Sequence, residues 1–237
     1  MAEIIKKGDF IEIEYTGIIP DSGIIFDTTD ESIAKKNSIY SKEMQYGPVV
    51  ICIGEAQIIK GLDSNLEGKE IGRKYDLKLD PENAFGKKDA SMLKLVPLTI
   101  FRKQNINPFP GLQVNIDGMM GTVKISSGGR VIVDFNHPLS GKQISYEVNV
   151  KRKVTDKSEQ VRHFLMLKLN LKPEAFKASI SEDTAVLEFK QELPKEVKDI
   201  ITQSILKVIQ LKKVEFIIMK EAPKKEEKKE EQQKKNA

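Results

Sequence analysis

Two histidines, one cysteine and no tryptophan leave this 237-residue chain few groups for covalent or metal chemistry. His137 stands beside Pro138 in a turn, His163 in a helical stretch, and Cys52 in a β-rich run. None meets another at C-x-x-C or H-x-x-x-H spacing, so no metal site is expected. No G-x-x-x-x-G-K-[ST] or G-x-G-x-x-G run offers a phosphate cradle, and no G-x-S-x-G elbow presents a nucleophile. No cofactor is implied. Paired acid–base chemistry stays open, but nothing singles out one pair. Cys52 reads as core filler in a strand, and the Lys/Glu runs read as solvated faces. What remains is a constellation of aromatic and aliphatic side chains over strand, loop and helix of the first 150 residues. Taken singly, each aromatic fits ordinary core packing. Gathered, they would make a dry site that works without a nucleophile.

The elements that must gather them differ along the chain. All 15 glycines lie between Gly8 and Gly141. Glycine serves tight turns and bulges, so a turn-rich β region should precede a more helical one. Residues 9–15 alternate as a half-buried strand that Thr16-Gly17 ends. Pro20-Asp21-Ser22-Gly23 forms a turn, and 24–27 returns as the second arm of a hairpin. A polar stretch, 28–41, leads to the β-rich run 49–53. Ile58, Ile59, Leu62, Leu66 and Ile71 suit a short helix closed by Gly68 and Gly72. Residues 74–79 alternate again, and 80–86 form a loop with Phe85 at its tip. Between 87 and 136 lies a compact β unit with strands at 112–116, 120–126 and 129–135, preceded by a Pro-interrupted apolar segment, 93–110. The strand 144–150 follows.

After Val154 the pattern reads α-β-β-α-β, a small α+β domain over 155–219. Thr155 is the expected cap of its first helix and Pro194 the opening of its second, whose apolar stripe is broad. Residues 220–237 hold seven Lys and five Glu with almost nothing apolar, the composition of a disordered tail. Net charge is +4, and this tail supplies half of it. The near-balance elsewhere argues against a nucleic-acid partner. No apolar run approaches the roughly 20 residues needed to span a bilayer, and the first residues lack a signal-peptide pattern. No membrane is expected as a partner, and the expected location is cytoplasmic.

Several runs resemble the FKBP family of peptidyl-prolyl isomerases. Tyr15-Thr16-Gly17, followed by Gly23-Ile24-Ile25-Phe26-Asp27, is similar to its Y-T-G…G-x-x-F-D signature. Gly54-Glu55-Ala56-Gln57-Ile58-Ile59-Lys60-Gly61 is similar to its G-x-x-x-V-I-x-G run, and Ala84-Phe85-Gly86 to its A-Y-G. The 87–136 segment falls where the SlyD-type subgroup carries an insert-in-flap domain. Asn136-His137-Pro138-Leu139-Ser140-Gly141-Lys142 resembles that subgroup's return sequence, and the long layout resembles archaeal members. The resemblance covers 1–154 and implies an α+β fold. That fold has an antiparallel half-barrel sheet with a short helix (1–86 plus 137–154), a β-rich insert (87–136) and a further α+β domain (155–219). It also implies a proline pocket lined by Tyr15, Phe26, Asp27, Val49 and Ile51, together with Ile58, Ile59, Leu62, Phe85 and Tyr146. The backbone N–H of Ile59 would donate to a carbonyl of the bound X-Pro segment. Phe85 replaces the family's tyrosine and Leu62 the pocket-floor tryptophan, departures that bear on inhibitor binding more than on turnover. The tail has neither the His nor the Cys of the metal-binding tails common in SlyD relatives.

Elementary chemistry suits such a site. The amide barrier is about 18–20 kcal/mol because rotation breaks C–N resonance, and uncatalysed X-Pro isomerisation takes tens to hundreds of seconds. A roughly 10⁴-fold acceleration requires on the order of 5.5 kcal/mol and no covalent step. A dry pocket gripping the pyrrolidine ring disfavours the polar planar amide relative to the twisted transition state. The insert carries many apolar residues for its size: Leu93, Leu95, Val96, Pro97, Leu98 and Ile100, then Phe101, Phe109, Met119 and Met120. So small a unit cannot bury them all, and exposed apolar patches usually mark binding surfaces; the alternative is that these residues form the unit's own small core. The expected partners are therefore unfolded or proline-containing polypeptides, with the insert as the holding surface of a chaperone. Two alternatives stand beside the isomerase reading: a non-catalytic proline-docking module, and an assembly subunit in which 155–219 forms a homodimer.

Overall fold

The computed structural model describes residues 3–219, which divide into a unit ending at Val154 and a unit beginning at Thr155. The tail expected to be disordered lies outside the described residues.

The first unit holds nine strands. They are β1 (Phe10–Ile19), β2 (Ile24–Thr28), β3 (Val49–Cys52), β4 (Lys74–Leu79), β5 (Leu93–Pro97), β6 (Gln113–Ile116), β7 (Met119–Ser127), β8 (Arg130–Asp134) and β9 (Ile144–Lys153). One antiparallel sheet runs β2-β1-β9-β4. β2 and β3 share an edge of β1: β3 pairs with Phe10–Ile13 and β2 with Thr16–Ile19. Because side chains alternate across a strand, Ile11, Ile13, Tyr146, Val148, Val150, Leu77 and Leu79 collect in one core, where Leu62 and Leu66 of the helix α2 (Lys60–Leu66, numbered after α1 below) also lie. Gly61 permits this approach. A Cβ there would sit 2.4 Å from the carbonyl oxygen of Asn83, well inside contact distance.

Three local expectations change. β1 does not stop at Thr16-Gly17 but continues to Ile19, because those residues pair with β2 instead of turning. The polar stretch before β3, where no periodicity predicts an element, contains a helix, α1 (Glu31–Lys36). Asp30 caps it, its carboxylate accepting from the N–H groups of Ser32 (2.7 Å) and Ile33 (3.0 Å). Six residues burying only Ala34 leave no apolar period to read. α2 ends at Leu66, not at Gly72, since Glu70 is drawn into a bridge with Ile4.

The insert forms its own sheet, ordered β5-β8-β7-β6. The Pro-interrupted apolar segment contains β5 and α3 (Leu98–Lys103), with Pro97 ending the strand and capping the helix. Proline's fixed φ suits both positions. Val96, Phe101, Val114, Val123, Val131, Val133 and Phe135 form a separate core there.

The second unit comprises α4 (Lys157–Leu169), β10 (Phe176–Ser181), β11 (Thr184–Phe189), α5 (Lys195–Val208) and β12 (Lys213–Ile218), the α-β-β-α-β order read from the sequence. Its sheet runs β10-β11-β12, with the last pair parallel. α4 is capped by Asp156, not Thr155: its carboxylate accepts from the Glu159 N–H at 2.7 Å. Pro194 precedes α5 as expected. Among the described residues no helix is long and apolar enough to cross a membrane.

Candidate functional site

A bulge decides what the first sheet presents. β1 and β2 pair Gly17 with Asp27 and Ile18 with Ile25, leaving Phe26 as the extra residue. A bulge re-aims side chains, and here the neighbours Phe26 and Asp27 both reach Tyr146 on β9. The Phe26 ring meets the Tyr146 ring edge-on at 5.7 Å, and Tyr146 donates a long 3.5 Å hydrogen bond to Asp27 Oδ2. Tyr15 closes the set at 5.6 Å from Tyr146, again edge-on. Edge-to-face contacts of this kind match the ring quadrupoles. Gly17 makes room for them: a Cβ there would lie 2.7 Å from Phe26 Cζ and 2.9 Å from Tyr146 Cε1.

The opposite wall is a loop held by one buried carboxylate. Asp63 of α2 accepts from the N–H groups of Gly54 (2.9 Å) and Ala56 (3.1 Å). Gln57 Oε1 accepts from the Cys52 N–H at 2.7 Å. The anchored loop delivers Ile58 and Ile59, and no acceptor among the described residues takes the Ile59 N–H. Between loop and sheet lies a cleft of about 460 Å³ lined by Tyr15, Asp27, Ala56, Gln57, Ile58, Ile59, Leu62 and Tyr146. Burial raises the Asp27 carboxyl above the usual carboxylate range, partly offset by hydrogen bonds from Thr28 and Tyr146. Burial also raises both tyrosine hydroxyls, with the Asp27 carboxylate adding to the effect. A larger recess of about 580 Å³ opens where Glu14, Thr16, Asp76, Glu147 and Asn149 turn outward. It is also lined by Tyr15, Ile33, Tyr46 and Tyr75, but the carboxylates of Glu14, Asp30, Glu31, Asp76 and Glu147 dominate its charge.

Residues 2–98 match the family model described as FKBP-type peptidyl-prolyl cis-trans isomerase, and residues 94–139 match one described as FKBP26, IF domain. A probable FKBP-type 16 kDa peptidyl-prolyl cis-trans isomerase of Pseudomonas fluorescens is 32% identical over 44% of this chain and 71% of its own length. The chain belongs to the FKBP-type peptidyl-prolyl cis-trans isomerase family. Two further relatives agree. The short-type peptidyl-prolyl cis-trans isomerase of Methanocaldococcus jannaschii is 29% identical over 64% of this chain and 95% of its own. The SlyD isomerase of Aeromonas hydrophila is 27% identical over 65% and 66%.

Of the residues the FKBP resemblance put in the pocket, Tyr15, Asp27, Ile58, Ile59, Leu62 and Tyr146 line the cleft. Phe26 and Phe85 stand behind it, ring against ring at 5.8 Å, and His137 stacks on Phe85 at 4.5 Å and 3°. Ile51 is not a lining residue. It is 1% exposed within the sheet's core, because its pairing with Ile11 turns it inward. Val49, opposite Ile13, packs on the same core and stays outside the cleft. Gln57 and Asp63 escaped the sequence reading. A run of polar residues beside Ile58 carries no sign that one carboxylate will cap two loop amides.

The insert of this FKBP chain divides differently from expectation. Leu93, Ile100, Phe109, Met119 and Met120 are exposed and Leu98 is half-buried. Val96 and Phe101 belong to the insert's own core, since they sit on the covered side of β5 and on α3. Neither is available to a partner. A cross-strand row takes their place: Leu95 pairs with Ile132, and Ile132 with Ile125. Leu95 is 59% and Ile125 52% exposed, so the sheet's outer face is apolar and uncovered.

Proposed function

We propose that the chain catalyses isomerisation of X-Pro bonds in the cleft between Tyr146 and Ile59, without covalent chemistry, while the insert holds the client polypeptide. The edge-to-face cluster of Tyr15, Tyr146 and Phe26 carries the reading. It supplies a rigid, water-excluding wall against which a prolyl ring packs and its amide loses solvation. The Ile59 N–H is positioned to donate to a substrate carbonyl, and Asp27 with Tyr146 forms a polar rim. The walls act by favouring the twisted, less polar amide, so no nucleophile is needed.

The holding role rests on the row of exposed Leu95, half-buried Ile132 and exposed Ile125, with the exposed methionines at the β6–β7 turn. The decisive experiment replaces 87–136 by a short turn, which the 2.8 Å hydrogen bond from Gly141 N–H to the Gly86 carbonyl allows. Tetrapeptide isomerisation should survive while proline-limited protein refolding slows by roughly tenfold, a loss of about 1.4 kcal/mol of transition-state stabilisation. Equal losses in both assays would remove the division of labour, and no turnover by the intact chain would leave a docking module.

A second copy of the chain is the partner proposed for the second unit. β12 is an edge strand whose Ile217 and Ile218 are exposed, as is Ile200 on α5. Exposed edges of this kind pair readily. Sedimentation of the full chain against a 1–154 truncation separates dimer from monomer.

A further inference from the structure

Net charge is distributed in a way the +4 total conceals. Residues 87–136 contain seven Lys or Arg against three Asp and no Glu, whereas the half-barrel, 1–86 plus 137–154, contains 14 basic and 17 acidic residues. The insert is thus a basic module set into an acidic half-barrel.

Of the three insert carboxylates, Asp117 is exposed at the β6–β7 turn and the other two are engaged. Asp134 is 7% exposed. Its Oδ1 accepts from the Asn136 N–H (3.0 Å) and Nδ2 (2.8 Å), and its Oδ2 faces both Lys88 (3.9 Å) and Lys124 (3.8 Å). Asp89 caps a turn, accepting from the Ser91 N–H at 2.8 Å. Two lysines therefore share one buried carboxylate at one end of β8. At its other end stands Arg130, exposed, between Pro97 of β5 and Ser127 of β7. No acidic partner meets it among the described residues. Strand alternation places Arg130, Ile132 and Asp134 on one side of β8, opposite the buried Val131 and Val133. The apolar row of Leu95, Ile132 and Ile125 accordingly runs between two positive poles. Four residues of extended chain separate the poles by about 13 Å.

We propose that this face selects client segments by charge as well as apolarity, taking an extended stretch of branched or aromatic residues flanked by Asp or Glu. The inference rests on the holding role proposed for the insert and specifies its substrate class. Apolar contact supplies the attachment. The two cationic ends favour acidic flanks, disfavour basic ones and hasten encounter at low salt. An uncharged apolar face would draw any unfolded chain equally. This one discriminates against the basic segments that the acidic half-barrel would attract.

The test uses the full chain and three proline-free fluorescent peptides sharing a Val-Phe-Val core, flanked on each side by Glu, Gln or Lys. Anisotropy at low salt should rank Glu above Gln above Lys, each step about fivefold, and the ranking should flatten in 0.5 M salt, where screening lengths fall to a few ångströms. Arg130→Gln should lower Glu-peptide affinity about fivefold, and Arg130→Lys should restore most of it. Ile125→Ser, at an exposed position, should weaken all three peptides together. Equal affinities, or a ranking that survives Arg130→Gln, overturn the charge selection yet leave the holding face standing if Ile125→Ser still weakens binding. Binding of none, or indifference to Ile125→Ser, overturns the holding role itself. Retention of the chain on phosphatidylglycerol vesicles without Glu-peptide preference overturns the proposal in favour of a lipid surface.

Discussion

The half-barrel sheet and the insert sheet are both antiparallel, and each buries one apolar face, yet they do opposite things with their remaining apolar groups. The half-barrel folds them into a concavity: Tyr146, 1% exposed, and Tyr15 meet edge-on in one wall of a cleft closed by Ile58 and Ile59. The insert leaves Leu95 and Ile125 on an open face. An enclosed wall of fixed rings contacts one small group from several sides and distinguishes its planar from its twisted form. An open row offers area without enclosure, and so accepts many chains loosely. The same residue types yield specificity in one place and tolerance in the other because second-side cover differs.

The largest effect that would break this contrast is expected at Phe26. Phe26→Ala removes the ring behind Tyr146 and should lower tetrapeptide kcat/KM roughly 30- to 100-fold, about 2–3 kcal/mol, with little effect on binding of an unfolded, proline-free client. Comparable losses in both assays would show that the regions are not separate. Next is the open face. Leu95→Ser combined with Ile125→Ser should cut acceleration of proline-limited refolding about tenfold, with a thermal midpoint close to that of the parent chain, since exposed positions contribute little to folding stability. A smaller effect is expected from Asp63→Ala, which strands the amides of Gly54 and Ala56. Each buried unpaired N–H costs on the order of 1–3 kcal/mol, so KM should rise severalfold through loss of the loop's shape, and urea midpoints should fall.

The smallest expected effect concerns Asp27. Burial raises its carboxyl in the folded protein, so the native state holds a proton more tightly than the unfolded chain does. Stability therefore falls as pH rises from the ordinary carboxylate range through the raised folded value, and the penalty is complete above it. Asp27→Asn should flatten that decline: its urea midpoint should exceed the parent's at pH 7 and match it near pH 3. A variant that loses stability at pH 7 would mean that the charged carboxylate is held by partners stronger than the Thr28 amide and the Tyr146 hydroxyl.

Much of the frame was legible in residue order. Alternation in Ile11, Ile13 and Tyr15, and in Tyr146, Val148 and Val150, dictates which side of each strand is buried, because successive side chains point oppositely. Gly23, Gly86 and Gly141 sit where the chain turns. The ordered runs around Tyr15, Phe26, Ile59 and Phe85 identified the half-barrel, and the change in glycine content marked the second unit. α1 and α3 were not legible, because six-residue helices set by a cap or a proline have no period to detect.

What the sequence determined by itself was this set of local preferences and the family they spell. Three matters only the tertiary structure decided. The bulge at Phe26 depends on how two strands register, and it brings adjacent residues to one ring. The burial of Ile51, Val96 and Phe101 depends on which face a neighbour covers, so equally apolar residues separate into core and surface. The row of Leu95, Ile132 and Ile125 spans more than thirty residues of chain and exists only because β5, β8 and β7 lie side by side. Register, cover and adjacency are long-range consequences of packing, and no local run of residues records them.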